Sequence, residues 1–212
     1  MVKVKICGIR RVADAEVALE YGARFLGFVF YPPSHRSLTP EAAAELIAAI
    51  RARTVGREWE AVGVFVNEPA DYVNDVAERC GLDLVQLHGT EPPAYCAQMR
   101  RPVIKALRVS ELAPEPTTAA QHGATRLLLD AQRAGYWGGT GVRFDWEAAR
   151  PYAREALIAG GLSVDNVGEA LAMLRPWGLD VSSGVERDRA KDPALIRAFL
   201  RRVQAYEERS GE

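Results

Sequence analysis

Apolar and basic residues alternate from Val2 to Ile6, the two-residue period of a half-buried strand, and the run ends abruptly in Cys7-Gly8. Behind it, Ala13, Val17, Ala18 and Tyr21 recur at helical spacing, and Gly22 stops the helix. Phe25 to Phe30 is almost continuously apolar, the mark of a strand covered on both faces. A loop with Pro32 and Pro33 runs on to Ser34-His35-Arg36-Ser37. Thr39 as N-cap and Pro40 at the first helical position then predict a helix whose core face is Ala43, Leu46, Ile47 and Ile50.

The cycle repeats. Further strands are predicted at 61–66, 84–87, 103–107, 127–130, 156–159 and 179–182. The helices between them open at Pro69, at Pro92-Pro93, at Asp145, at Ser163 and at Asp192-Pro193. Their apolar faces include Val73, Val76 and Ala77 in one case, and Ile196, Phe199 and Leu200 in the last. The connection after the fifth strand carries Pro114 and Pro116 and little helical face, so a short or irregular fifth helix is expected.

Eight such units predict an α/β chain with a parallel sheet and right-handed crossovers. In 212 residues they leave no room for a second domain, so the expectation is a single-domain (β/α)8 TIM barrel over residues 1–212. Composition agrees: 48% apolar and 26% charged residues suit a soluble globular protein. A net charge of −1 offers no electrostatic footprint for nucleic acid or an acidic membrane. No apolar run approaches the roughly 20 residues of a membrane span. A strand at the amino terminus argues against a signal peptide. Three cysteines, an odd number without metal-like spacing, fit a reducing cytoplasm.

In such a barrel the residues just after each strand form the active face. Those positions hold Cys7, the loop with Arg36, His88, Arg108, Asp130, Gly160-Gly161 and Ser182-Ser183-Gly184. Glycines after the seventh strand and Ser-Ser-Gly after the eighth match a phosphate cradle, where backbone N–H groups approach the anion closely. His88 reads as structural, Cys80 and Cys96 as core, and Arg108 as either a ligand contact or a solvated side chain. The loop from Gly135 to Gly141 is a mobile lid or simply a long connection. No histidine or cysteine pair has metal-ligand spacing, and no dinucleotide fingerprint follows the first strand, so neither metal nor cofactor is expected. One thiol, one carboxylic acid, one arginine and a phosphate cradle suit proton transfer on a sugar phosphate, and isomerisation better than hydrolysis.

The sequence resembles the phosphoribosylanthranilate isomerase family of tryptophan biosynthesis over essentially its whole length. The resemblance rests on Lys5-Ile6-Cys7-Gly8-Ile9, Gly27-Phe28-Val29-Phe30 with Ser34-His35-Arg36, and Gln86-Leu87-His88-Gly89. It continues through Leu129-Asp130, Gly138-Gly139-Thr140-Gly141, Phe144-Asp145-Trp146, Ala159-Gly160-Gly161-Leu162 and 180–186. It implies a cofactor-free Amadori rearrangement of a phosphosugar by a monomer or homodimer. It further implies Cys7 as general base, Asp130 as general acid, Arg36 on the anthranilate carboxylate, and the 160–161 and 182–184 segments on the phosphate. Two positions depart from the family pattern: Arg10 stands where many members have threonine, and His35 where many have proline. Asp130 must hold a proton at least briefly, and Cys7 needs a nearby positive charge to ionise near neutrality. The alternatives are another phosphosugar barrel, synthase-like or epimerase-like, and a non-catalytic phosphosugar sensor. A synthase of that type would want lysine at a strand end, and the chain has only Lys3, Lys5, Lys105 and Lys191.

Overall fold

The structure, a computed structural model, describes residues 1–108, 118–130 and 146–211. Eight parallel strands close into a barrel in chain order: β1 (Lys3–Cys7), β2 (Phe25–Val29), β3 (Glu60–Phe65), β4 (Leu84–Leu87), β5 (Val103–Arg108), β6 (Arg126–Asp130), β7 (Ala156–Ile158) and β8 (Gly178–Val181). β8 pairs back onto β1, with Lys5 opposite Asp180. The outer layer holds α1 (Val12–Glu20), α2 (Pro40–Arg53), α3 (Ala70–Arg79), α4 (Pro93–Cys96), α5 (Trp146–Ala149), α6 (Val167–Leu174) and α7 (Pro193–Ser210). A small hairpin, β9 (Glu186–Arg187) and β10 (Ala190–Lys191), sits between β8 and α7. Between β5 and β6 the described residues carry only a 3-10 turn, Ala120–His122, as a proline-bearing connection should. Pro114, Pro116, the glycines from Gly135 to Gly141 and the Asp145 cap lie outside the described residues.

Alternation along the strands builds two cores. Phe25, Val62, Ile104, Ala106, Leu128, Leu157 and Ala159 fill the barrel, while Val4, Ile6, Val103 and Leu129 face the helices. This parity corrects one sequence expectation. A half-buried first strand would send its lysines to solvent, yet a closed barrel buries both faces. Lys5 and Cys7 therefore point inward, and Lys5 is fully buried.

Caps behave as the sequence predicts at α2, where Thr39 accepts from the Ala42 N–H, and at α7, where Asp192 accepts from Ala194 and Leu195. Two helices differ. In α1, Ala18 is buried and Val17 and Tyr21 pack against the core as expected, but Ala13 is exposed and Asp14, Ala15 and Leu19 join the buried face. The burial of Asp14 is tolerated because Arg11 grips its carboxylate through Nε at 2.8 Å and Nη2 at 2.7 Å. α6 begins at Val167, not beside Ser163. The Asn166 side chain instead accepts from the Ser163 N–H and donates to the Gly161 carbonyl, both at 2.8 Å, bracing the loop after β7.

Candidate active site

The carboxyl ends of the strands surround one cleft, open to solvent. Cys7, Arg36, His88, Asp130, Gly160, Gly161, Ser182 and Ser183 all line it. Two expected residues do not. Gly184 lies behind the wall, where a Cβ would stand 1.8 Å from the Leu162 carbonyl oxygen, so its role is to let the β7 and β8 loops touch. Arg108 stands in register beside Asp130 on the neighbouring strand without lining the cleft.

Cys7 ends β1 at 8% exposure, flanked by Val29 and Val64. Burial pushes its thiol up from the ordinary value, and the nearby Lys5 ammonium works in the opposite direction. Lys5 Nζ donates to Asp180 Oδ1 at 3.0 Å. Burial alone would discharge this lysine, but Asp180 and Cys7 together hold it above the usual lysine range. Gly27, the cross-strand partner of Cys7, makes the space: a Cβ there would lie 3.0 Å from the Cys7 Sγ and 3.1 Å from the Lys5 Cε. Sequence reasoning overlooked Lys5. The available signal was its even spacing from Cys7 on one strand face.

Asp130, 5% exposed, ends β6 on the other side of the mouth, with β7 and β8 intervening. His88 Nε2 lies 3.2 Å from Asp130 Oδ2, and Gln86 Nε2 lies 2.8 Å from His88 Nδ1. The imidazole therefore bridges the Gln86 amide and the Asp130 carboxyl group. His88, read as merely structural from sequence, is thus the group that orients Asp130. Gln86 and His88 are two apart on one strand face, which is why they meet.

Arg36 comes from the β2–α2 loop. Its Nε and Nη2 form a two-point clasp on Glu186, both at 2.7 Å. Lys191 Nζ reaches the same carboxylate at 2.6 Å. Burial alone would push the Glu186 carboxyl up, but the Arg36 hydrogen bonds and the Lys191 ammonium outweigh it and hold it at about 2. The clasp consumes one edge of the guanidinium and leaves the Nη1–Nη2 edge for a second carboxylate. After β7, Gly160 and Gly161 take φ of +82° and +65°, a conformation open to glycine. Neither N–H enters a backbone hydrogen bond among the described residues. The Ser182 hydroxyl is already engaged, donating to the Cys7 carbonyl at 3.0 Å and tying β8 to β1.

The model of the family described as N-(5'-phosphoribosyl)anthranilate (PRA) isomerase matches residues 4–202. An N-(5'-phosphoribosyl)anthranilate isomerase of Geotalea daltonii is 46% identical over 211 residues, covering 96% of this chain and 97% of the relative. The chain belongs to the N-(5'-phosphoribosyl)anthranilate isomerase family.

Solved members of the isomerase family superpose on the whole barrel. The Thermotoga maritima enzyme gives a TM-score of 0.82 at 38% identity, covering 97% of this chain and 100% of that one. A phosphoribosyl anthranilate isomerase in complex with reduced 1-(o-carboxyphenylamino)-1-deoxyribulose 5-phosphate gives 0.78 at 35% identity, with the same coverage. The two positions that depart from the isomerase pattern touch each other: Arg10 Nη1 donates to the His35 carbonyl at 3.0 Å. His35 Nε2 also lies 3.6 Å from Glu186 Oε2, so both departures lean on the brace behind Arg36. No described helix is long and apolar enough to cross a membrane.

Proposed function

We propose that this chain converts N-(5'-phosphoribosyl)anthranilate to 1-(2-carboxyphenylamino)-1-deoxyribulose 5-phosphate, with Asp130 as general acid and Cys7 as general base. The observation that carries this reading is that Cys7 and Asp130, at separate strand ends, face a single cleft, while the other carboxylate there, Asp180, is paired with Lys5. Asp130 protonates the furanose oxygen and the ring opens to an iminium. Cys7 then takes the proton from the second sugar carbon, and the enol-amine relaxes to the ketone. Every step is a proton transfer, so two side chains of suitable ionisation meet the need.

The surroundings divide the substrate between them. The His88 ring nitrogen 3.2 Å from Oδ2 helps hold the Asp130 carboxyl group at the mouth of the cleft. The open edge of Arg36 suits the planar anthranilate carboxylate. Gly160, Gly161 and Ser183 suit the phosphate, with Gly184 and Ser182 holding that loop in place. None of the lysines fits a synthase, because Lys3 begins β1 at the end away from the mouth, Lys5 and Lys191 are committed to carboxylates, and Lys105 faces the helices. The working unit in this reading is a cytoplasmic monomer or homodimer; a Thermotoga maritima relative is described as dimeric.

The test is loss of phosphoribosylanthranilate fluorescence on adding purified protein. Rapid loss coupled to appearance of the ketose is expected. A folded protein that leaves the fluorescence unchanged overturns the assignment.

A further inference from the structure

The thiol at the end of β1 lies in a buried pocket, and burial disfavours a thiolate. The charge that offsets this comes from below. Lys5 sits two residues earlier on the same inward face at 0% exposure. Burying an ammonium costs several kcal/mol unless it is paired, and here one oxygen of Asp180 accepts at 3.0 Å. An ammonium has three donors. Asp180 is the only acceptor that takes a hydrogen bond from Lys5 among the described residues, and the thiol stands beside the lysine. Gly27 leaves the gap in which the two side chains approach, since any Cβ there would crowd both Cys7 Sγ and Lys5 Cε.

We propose that Lys5 is a positioning residue: anchored by Asp180, it holds an ammonium against Cys7 and stabilises the thiolate that removes the sugar proton. The proposal deepens the reading above and rests on Cys7 being the base. The other charged groups around the thiol fit it. Asp180 on β8 opposes ionisation but is spent on Lys5, and Lys191 on β10 adds a second, more distant positive charge. Arg36 is neutralised by Glu186, and Asp130 with His88 stands across the cleft. In the reaction the thiolate takes the C2 proton and becomes a thiol. It returns that proton to C1 as the enol hydroxyl gives up its own proton to the Asp130 carboxylate, which restores the acid, and Lys5 keeps its proton throughout.

The experiment is iodoacetamide alkylation of Cys7 from about pH 6 to 10, read on the Cys7 peptide by mass spectrometry, alongside the pH profile of kcat. Lys5→Met is expected to slow alkylation at neutral pH by roughly tenfold or more. Its kcat should fall with KM little changed, and should recover as pH is raised. A purely structural lysine would lower kcat at every pH and leave the alkylation profile in place. Should Lys5→Met fail to fold, the double variant Lys5→Met/Asp180→Asn removes both buried charges and should show a displacement in the same direction, smaller because Asp180 itself opposes ionisation. A folded variant whose alkylation profile overlays the wild type overturns the proposal. Activity retained by Cys7→Ala would instead overturn the assignment of the base, a distinct result because alkylation reports the thiol whether or not it is catalytic.

Discussion

Two buried lysines are treated in opposite ways by this barrel. Lys105 sits on β5 and faces the helical layer, because its neighbours Ile104 and Ala106 fill the interior. Its Nζ donates to the Leu87 carbonyl at 3.3 Å, to the Gly89 carbonyl at 2.7 Å and to Glu91 at 2.7 Å. All three donors are spent, and Glu91 accepts further from the N–H groups of Asn67 and Gly89. The result is a post that pins the turn after β4. Lys5 is as deeply buried but spends one donor on Asp180 and stands beside the Cys7 thiol in the gap that Gly27 leaves. Residue type and burial do not separate the two; the count of satisfied donors does. The same count separates Arg11, consumed by Asp14 and the Lys191 carbonyl, from Arg36, which keeps an edge toward the cleft.

The contrast can be broken at several points. The largest effect is expected at the carboxyl group that the cleft depends on. Asp130→Asn keeps the His88 contact but has no proton to give, so kcat should fall ~10²–10⁴-fold while a product analogue still binds. A variant with normal kcat would remove Asp130 from the chemistry. Next comes the post. Lys105→Met leaves Glu91 buried without its cation and should cost about 3–5 kcal/mol in denaturant unfolding, with kcat per folded molecule unchanged. If Lys105→Met shifts the pH profile of kcat as Lys5→Met should, the donor count distinguishes nothing.

Smaller effects sharpen the picture around Arg36. Arg36→Lys keeps the charge but cannot serve Glu186 and a ligand carboxylate together. It should lose about 1.5–3 kcal/mol, roughly ten- to a hundredfold in KM. An analogue lacking the carboxylate should be penalised far less by the substitution than the substrate is. The smallest effect concerns acidity. Glu186 is depressed to about 2 in the folded protein, so its stabilising contribution is present above the unfolded value of about 4.3 and is lost only as pH falls through about 2. His35 is lowered by burial and the adjacent Arg36, so it stays neutral around pH 7. The Arg36 brace should therefore hold between about pH 5 and 8. A KM that climbs steeply across that window through loss of Arg36 contacts would contradict it.

Much of this was legible in the residues alone. The β-strands announce themselves by apolar runs that stop at a reactive or glycine residue, and Cys7 and Asp130 are readable because they end strands. The glycines after β7 are readable for the same reason. What escaped depends on the third dimension. The inward turn of Lys5 requires knowing that the barrel closes, because in an open half-buried strand the same lysine would be solvated. Glu186 lies 150 residues from Arg36, and only the β9–β10 hairpin brings it there. Ser163 looked like a helix cap and Ser182 like a phosphate ligand, yet α6 starts at Val167 with Asn166 bonded to Ser163 and Gly161, and the Ser182 hydroxyl donates to the Cys7 carbonyl. His88 was visible, but its bond to Asp130 crosses from β4 to β6 and has no signature in the chain.

The central claim is that Cys7, alone among the thiols, moves the substrate proton. Single-turnover kinetics of wild type, Cys7→Ala, Cys80→Ser and Cys96→Ser test it directly, since Cys80 and Cys96 lie in the helical layer away from the cleft. Cys7→Ala should lose ~10²-fold or more of its rate with product-analogue binding nearly intact, and both controls should stay near wild type. A Cys7→Ala protein that keeps most of its rate, or a control that loses as much, would place the base elsewhere.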